Sequence, residues 1–320
     1  MSQTIALIRE GSESRPCSGG IAARLAEGLT LQLGSMNVKD PQPFMSGLPP
    51  STVSDADDGY LRSALGSVGE EMYAEPEEEG PELDVASIHA FIGSHRSLTP
   101  NGVPKPKFLR QVSGTGLAPW EIHRPQKFVR DLVSRRCFPS GSRLLDAGCG
   151  LGDNALYIAK ACPEVAVIGV DVVSRCLEFA EAKAKIRNMR GKVSFEVGDL
   201  TEQDPRRPSA ASIAPTNNAT YDIVVDSSTY HNFSDPERER YAATLKRLLK
   251  PGGLVYMNCM SEEETRPGGP SGRISVACLT NVFNRSNGWE LEAVEDSIIE
   301  LHPTFWAGRG VARLYTIRKL

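Results

Sequence analysis

The sequence lacks paired cysteines. Its 7 cysteines, Cys17, Cys137, Cys149, Cys162, Cys176, Cys259 and Cys278, are odd in number, form no Cys-x-x-Cys pair and have no histidine at zinc-finger spacing. A disulfide framework and a structural metal site are disfavoured, and free thiols in a cytoplasmic setting are expected. No apolar run approaches the roughly 20 residues that a bilayer span needs; the best, residues 165–173, carries Asp171. Positive charge is not in excess either. The 36 basic residues face 40 acidic ones, net -4, which disfavours nucleic acid as the main partner. The start has no charged-then-apolar secretory pattern. Glu10, Glu13 and Glu27 interrupt what a transit peptide keeps free of acids, although organelle addressing by the N-terminal part stays open. What remains is an ordinary globular composition in a 320-residue chain, long enough to bury a core without staples.

Charge and punctuation divide that length. Residues 1–119 hold 9 basic and 15 acidic side chains and many prolines, among them Pro41, Pro43, Pro49, Pro50, Pro76 and Pro81. An acidic cluster runs over 75–82, within a stretch (55–84) whose one base is Arg62. Such a segment offers too little apolar surface to offset the entropy of ordering it. Residues 1–110 are therefore expected to be a low-complexity, largely irregular extension, with short helices around 21–33 and 85–92. Residues 111–320 are expected to be the folded domain.

From Trp120 onward, strand and helix patterns alternate. Residues 125–136 have helical spacing. Short apolar runs at 143–147 and 165–170 read as buried strands, and 192–197, 221–225 and 254–258 follow as further strands. Helices are expected at 154–161, at 174–190 behind a Ser174 cap, at 235–250 behind Asp235-Pro236, and at 273–284. Strands at 289–299 and 311–318, joined by a short loop, should pair antiparallel. This order predicts an α/β fold: a doubly wound, mostly parallel seven-stranded sheet with an antiparallel last strand. Ligands of such sheets bind beyond the strand carboxyl ends, beside the first strand.

The motifs fall at those ends. Gly148, Gly150 and Gly152 alternate in Leu-Leu-Asp-Ala-Gly-Cys-Gly-Leu-Gly at 144–152. Glycine there permits unusual backbone angles and close ligand approach, and the helix that follows offers unpaired N–H groups. The same run satisfies a dinucleotide fingerprint, so by itself it says only nucleoside cofactor. Asp171 ends the second strand, about 20 residues on, where a carboxylate can accept from both ribose hydroxyls or cap the next helix. Asp199 ends the third and can accept from an adenine amine, with Leu200 covering the ring; a solvated turn is the alternative. The fourth strand ends in Asp226-Ser227-Ser228-Thr229-Tyr230-His231-Asn232-Phe233. His231 there is a candidate base or a structural hydrogen-bonder, and Tyr230 a candidate site group or core.

Together, 144–152, Gly-Val-Asp at 169–171, Gly-Asp at 198–199, 226–233 and Leu-Lys-Pro-Gly-Gly at 249–253 resemble the class I S-adenosylmethionine-dependent methyltransferases. Residues 119–126, Pro-Trp-Glu-Ile-His-Arg-Pro-Gln, resemble the Pro-Trp-Asp-x-Gly-Arg-Pro-x lead-in of the halide, thiol and thiopurine methyltransferases and their bacterial relatives. Those relatives often carry Asp-Ser-Gly-Leu-Phe-His at the fourth strand. Here Ser228, Thr229 and Tyr230 replace Gly-Leu-Phe, and His123 replaces the lead-in glycine. The resemblance implies S-adenosylmethionine as cofactor. It implies that Gly148, Gly150 and Gly152 meet its methionyl part, Asp146 its amino group, Asp171 its ribose and Asp199 its adenine amine. It places Trp120 over the sulfonium, where an aromatic face favours a cation, or at a hydrophobic seam. It adds Gln126, Asn154, Val172 and Leu200 to the cofactor's surroundings. It sets Asp226, Tyr230 and His231 at the methyl-transfer cavity.

The acceptor expected from this resemblance is a small molecule, at sulfur or a halide-like atom in the first place and at nitrogen or oxygen as the alternative. No nucleic-acid or membrane partner and no metal are expected. An NAD-dependent reductase fits the glycine run and Asp171 but not the later motifs. A non-catalytic nucleoside-binding protein on the same fold is a third reading.

Overall fold

The computed structural model describes residues 84–92, 106–204, 210–266 and 272–320. The helix expected near 21–33 and the acidic cluster at 75–82 lie outside these residues. Seven strands form one sheet: β1 (Arg143–Ala147), β2 (Ala166–Asp171), β3 (Val193–Val197), β4 (Tyr221–Ser227), β5 (Leu249–Met260), β6 (Trp289–Glu300) and β7 (Arg309–Lys319). Their spatial order is β3-β2-β1-β4-β5-β7-β6. The first five strands pair parallel, whereas β7 runs antiparallel to both β5 and β6. The doubly wound sheet with its antiparallel last strand is therefore as expected.

The helices are α1 (Val85–Ile92), α2 (Pro106–Val112), α3 (Lys127–Ser134), α4 (Asp153–Ala161), α5 (Ser174–Ile186), α6 (Asp235–Leu248) and α7 (Val276–Val282). Leu144, Val167, Ile223 and Val225 pack with Phe128, Val129 and Leu132 of α3 and Leu156 and Ile158 of α4 on one face. Leu145, Val170, Val224 and Val255 pack with Tyr241, Leu245 and Leu248 of α6 and Leu279 of α7 on the other. Each such buried aliphatic side chain contributes about 1.5–3 kcal/mol, which is why the central strands read as continuous apolar runs.

Helix starts differ from the sequence reading in detail. Ser234 caps α6 rather than Asp235. Its amide and hydroxyl both donate to Glu237 Oε2, at 2.8 and 2.6 Å, as part of a capping box. Ser174 is the first residue of α5 and Val173 its cap. Helix α6 ends at Leu248, because Leu249 already pairs with Tyr221. Upstream, α1 forms where a short helix was expected, and Ile88 and Ile92 pack with Val112 against Leu117 and Trp120. Cys137, Cys149, Cys162, Cys176 and Cys259 are free. No helix among the described residues is long and apolar enough to cross a membrane.

Gly152 joins sheet and helix. It caps α4 with φ 74°, and a Cβ there would lie 2.7 Å from Ala180 Cβ and 2.8 Å from Phe195 Cζ. Both objections, conformational and steric, apply to any side chain. Gly152→Ala is expected to cost roughly 2–4 kcal/mol, the sum of left-handed strain and overpacking. Urea unfolding would show the loss as a lower midpoint; an unchanged midpoint would mean that α4 and α5 can separate freely.

Candidate active site

The chain crosses the sheet in one direction from β1 through β3, then returns to place β4 on the other side of β1. Connections diverge at that point and leave a crevice beyond the strand ends. Register sets Ala147 beside Val170 and Asp226, and Ser227 beside Asn258. Asp146, Asp171, Asp226 and Asn258 thus gather at one edge from four strands.

The three glycines of the first turn are all left-handed, with φ 70° at Gly148, 51° at Gly150 and 74° at Gly152. A Cβ on Gly148 would meet Thr229 Oγ1 at 2.1 Å, because Thr229 reaches across from β4 to donate to the Ala147 carbonyl at 2.9 Å. Gly150 is the opposite case. Nothing lies within 4 Å of where its Cβ would be, so its outer face is open. Its N–H donates to Asp171 Oδ2 at 2.8 Å, while Asp171 Oδ1 accepts from Val173 at 2.9 Å. One carboxylate therefore ties the glycine turn to the start of α5.

Three carboxylates share this edge, and their environments differ. Asp146 is fully buried, and neither of its oxygens has a hydrogen-bond partner. Burial pushes its carboxyl up to about 7, with the charges of Asp226 and Asp171 adding to the effect and the Ala155 N–H opposing it. Asp226 is also fully buried but well partnered. It accepts from Tyr241 Oη at 2.7 Å, from Thr229 N at 2.8 Å and from Tyr230 N at 3.1 Å. Burial still carries it up to about 6. Burial raises Asp171 as well, against the N–H groups of Val173, Gly150 and Val172.

The turn after β4 departs most from the sequence reading. His231 is 1% exposed, and its Nδ1 accepts from the Met260 N–H at 3.0 Å. Burial lowers its pKa to about 3, with the guanidinium groups of Arg238 and Arg273 adding to the shift. The ring is neutral, its proton sits on Nε2, and its one lone pair is taken. The candidate base is thereby corrected to a structural hydrogen-bonder joining β4 to β5. Tyr230 is corrected to core. It is fully buried against Phe283 and Tyr241, with ring centroids 5.6 and 6.1 Å away. Burial also raises its phenol. Asp226 shapes this turn through the amides it receives, and no free face of it is turned to an acceptor.

The lead-in splits likewise. Trp120 is half-buried and packs both on the Ile88–Ile92–Val112 cluster and on Met260, Ile299 and Phe305. Gln126 is a strut: its amide exchanges bonds with the Glu300 backbone, Nε2 to O at 2.9 Å and N to Oε1 at 2.8 Å. Its own N–H donates to Asn154 Oδ1 at 2.9 Å. Trp120 thus braces the lead-in on those two clusters, and Gln126 braces it on β6 and α4. Leu200 is corrected too, since it is buried in the core with Val170, Ala210 and Ile213 rather than laid open at the edge. Asp199 is exposed and accepts from the Thr201 N–H and hydroxyl through Oδ1. Val172, 43% exposed, is an apolar side chain left facing out beside Asp171. No cluster of metal-ligating side chains occurs among the described residues.

Against known proteins, residues 144–253 match the methyltransferase domain family. A probable thiol methyltransferase of Arabidopsis thaliana is 27% identical over 188 residues, 59% of this chain and 76% of that protein. Residues 144–253 thus carry a methyltransferase domain. Other relatives share less of their length. A demethylmenaquinone methyltransferase of Deinococcus radiodurans is 31% identical over 118 residues, 37% of this chain and 43% of that one. An S-adenosyl-L-methionine-dependent Diels-Alderase of Talaromyces variabilis is 33% identical over 152 residues, 47% of this chain and 46% of that one. A solved structure concerned with conversion of a disulfide bond into a thioacetal group during echinomycin biosynthesis shares the fold. Its TM-score is 0.53 at 24% identity, over 63% of this chain and 84% of that one.

Four residues that hold these turns were not named among the candidate site residues: Thr229, Tyr241, Glu121 and Asn258. Thr229 and Glu121 lie inside the motifs, at positions where the resembling pattern has another residue. Tyr241 lies on the buried face of α6, and Asn258 at the end of β5, so helical and strand phase could have found them. The two glycine replacements have a clear outcome. Ser228 and His123 keep left-handed backbones, φ 69° and 56°; His123 adds a bond from Nε2 to the Gly116 carbonyl at 3.1 Å. The turn geometry is retained and the chain carries the strain. Stability is expected to fall in the order Ser228→Gly, wild type, Ser228→Val, spanning about 1–3 kcal/mol, since a β-branched residue tolerates this region least. Thermal unfolding of the three proteins tests this; a valine variant as stable as the glycine one would refute it.

Proposed function

We propose that this enzyme transfers the methyl group of S-adenosylmethionine to a small-molecule acceptor at sulfur. The observation that carries the reading is the bond from the Met260 N–H to His231 Nδ1. With that lone pair occupied, the turn after β4 offers an aligned surface rather than a proton acceptor. A thiol suits it, because thiols are partly ionised near neutral pH and bring their own nucleophile. The name of the Arabidopsis relative points the same way.

The residues at the edge fit the cofactor. When bound, S-adenosylmethionine supplies an activated methyl on a good leaving group. The two orphaned oxygens of Asp146 are acceptors in search of donors, as an ammonium would provide. The open face of Gly150 leaves room for a ligand against the backbone. Asp171 retains further lone pairs for ribose hydroxyls while it holds the turn. Val172 and Asp199 lie where an adenine ring would find an apolar face and an acceptor. Trp120, packed between two clusters, closes the side from which water would come. Alignment and exclusion of water then supply most of the acceleration.

Two outcomes are expected. Cofactor affinity should fall as the solution is acidified below about pH 7. The raised Asp146 carboxyl is protonated there in the free enzyme, and an ammonium prefers the carboxylate. The loss should approach tenfold per pH unit. Calorimetric titrations from pH 5.5 to 8.5 test it; a flat profile would remove Asp146 as the ammonium's partner. With a panel of thiols, amines and phenols and labelled cofactor, label should pass to thiols, with rates following each thiol's own ionisation. His231→Asn, whose carbonyl oxygen can still receive the Met260 N–H, should keep this profile. A drop of roughly 10²–10⁴ in turnover would restore the base reading, and transfer to amines or phenols alone would overturn the acceptor class.

A further inference from the structure

Helix α5 begins directly after the Asp171 turn, and its second residue is Arg175. The guanidinium reaches away from the sheet to the end of α2. Its Nη2 donates to the carbonyls of Arg110 at 3.1 Å, Gln111 at 2.9 Å and Ser113 at 2.6 Å, and its Nε donates to Ser113 at 3.1 Å. These are carbonyls at and just beyond a helix C-terminus, where intrahelical donors run out and a cation meets the negative end of the dipole. The chain then turns at Gly114, φ 77°, so close to α5 that a Cβ would lie 2.9 Å from the Cys176 nitrogen.

The same loop is gripped from the other side by an anion. Glu121 is 5% exposed, and its carboxylate receives the N–H groups of Gly114, Gly116 and Ala118. Burial raises its pKa, while those three amides and the Arg175 charge oppose the rise. Residues 110–121 are thus held by one cation on their carbonyls and one carboxylate on their amides. The residue beside Glu121 is Trp120. The residue four before Arg175 is Asp171, whose two oxygens are bonded to Gly150 and Val173.

We propose that Arg175 is a positioning residue that couples cofactor binding at the Asp171 turn to closure of the segment 106–121 over the site. The Asp171 turn and the first turn of α5 are already formed; cofactor seated on them favours the arrangement in which the guanidinium rests on the α2 carbonyls and Trp120, beside Glu121, is held in place. Without Arg175 the closed arrangement is one of several, and apparent affinity drops by the fraction of time it is absent. The inference rests on the cofactor site described above and is independent of the acceptor.

Full-length wild type, Arg175→Met, Arg175→Lys and Glu121→Gln would be compared by calorimetry with S-adenosylhomocysteine and by amide hydrogen exchange of residues 106–121 with and without it. In wild type, bound S-adenosylhomocysteine is expected to slow exchange of that segment. Arg175→Met should weaken binding roughly tenfold and abolish the protection, with Arg175→Lys intermediate because an ammonium can still meet one or two carbonyls. Glu121→Gln, which keeps shape but not charge, should lose protection in part. The KM for the acceptor should stay within about twofold in Arg175→Met, a split that general loosening of the fold would not give. Unprotected wild-type amides despite binding, or Arg175→Met with wild-type affinity and protection, would overturn the coupling. Failure of the wild type to bind S-adenosylhomocysteine at all would overturn the cofactor site and the coupling with it.

Discussion

The two bonds made by Asp171 organise the rest of the site. One oxygen holds Gly150, in the turn after β1; the other holds Val173, in the turn after β2. Parallel strands share no hairpin that would fix the relative position of their ends. Here a side chain supplies that link. Gly148 and Cys149 strengthen it by donating to the Val170 carbonyl at 2.8 and 3.0 Å. With the two turns fixed to each other, the open face of Gly150 and the exposed side of Val172 keep a constant separation, and α4 and α5 leave the edge as a rigid pair closed on Gly152. A ligand entering there meets a surface already ordered, so little of its binding energy goes into organising backbone.

Charge explains why this edge stays a site and does not become core. Asp146 and Asp226 are both fully buried; burial raises both carboxyls, and at Asp146 the charges of Asp226 and Asp171 add to the rise. Asp226 is compensated by a phenol and two amides, so its burial stabilises the turn it organises. Asp146 has less: neither oxygen has a hydrogen-bond partner, and only the Ala155 N–H opposes its rise. A buried acceptor without a donor costs about 1–3 kcal/mol, which a fold retains where a ligand removes the cost. The signs agree. The raised carboxyls oppose folding as pH rises above the ordinary carboxylate range and through their folded values near 6 and 7. His231, held neutral, acts in the other direction, and its contribution is lost as pH falls from 6.5 toward 3. The unfavourable carboxyl contribution near neutrality is the one that a bound cation would relieve.

What could be read from the sequence was what local pattern governs. The strands expected at 143–147 and 165–170, the glycine turn and the acids at strand ends follow from apolar runs, spacing and topology; the first strand stands where expected and the second lies one residue on, at 166–171. His231, Gln126 and Leu200 could not be read in that way. The partner of His231 is a backbone amide 29 residues away, and that of Gln126 is Glu300, 174 residues away. A histidine or glutamine beside a motif looks alike whether it faces a ligand or a neighbouring strand. Tyr230 shows the same limit, since its fate is set by Phe283 and Tyr241, which reach it only through packing of α6 and α7. Side chains that touch the backbone of a distant element are invisible to spacing, whereas glycines and strand-end acids announce themselves because the constraint they answer is local.

Ser228 and His123 show how much of the architecture is backbone rather than side chain. Both stand where the resembling pattern has glycine, and both keep the left-handed conformation that glycine would have taken freely. The turn after β4 holds that shape because Asp226 receives the amides of Thr229 and Tyr230, the Ser228 N–H meets the Asn258 carbonyl at 3.0 Å, and Asn232 Nδ2 donates to the Ser228 carbonyl at 2.6 Å. Four hydrogen bonds over-determine one residue, and the strain is the consequence. The change of residue therefore alters what the turn presents without altering where it lies. Ser228 puts a hydroxyl, and Thr229 a methyl and a hydroxyl, at an edge where the pattern has hydrogen and leucine. The exchange also meets the glycine turn, because Thr229 Oγ1 donates to the Ala147 carbonyl beside Gly148. The frame is thus kept, and the differences from the resembling pattern lie in the side chains it carries.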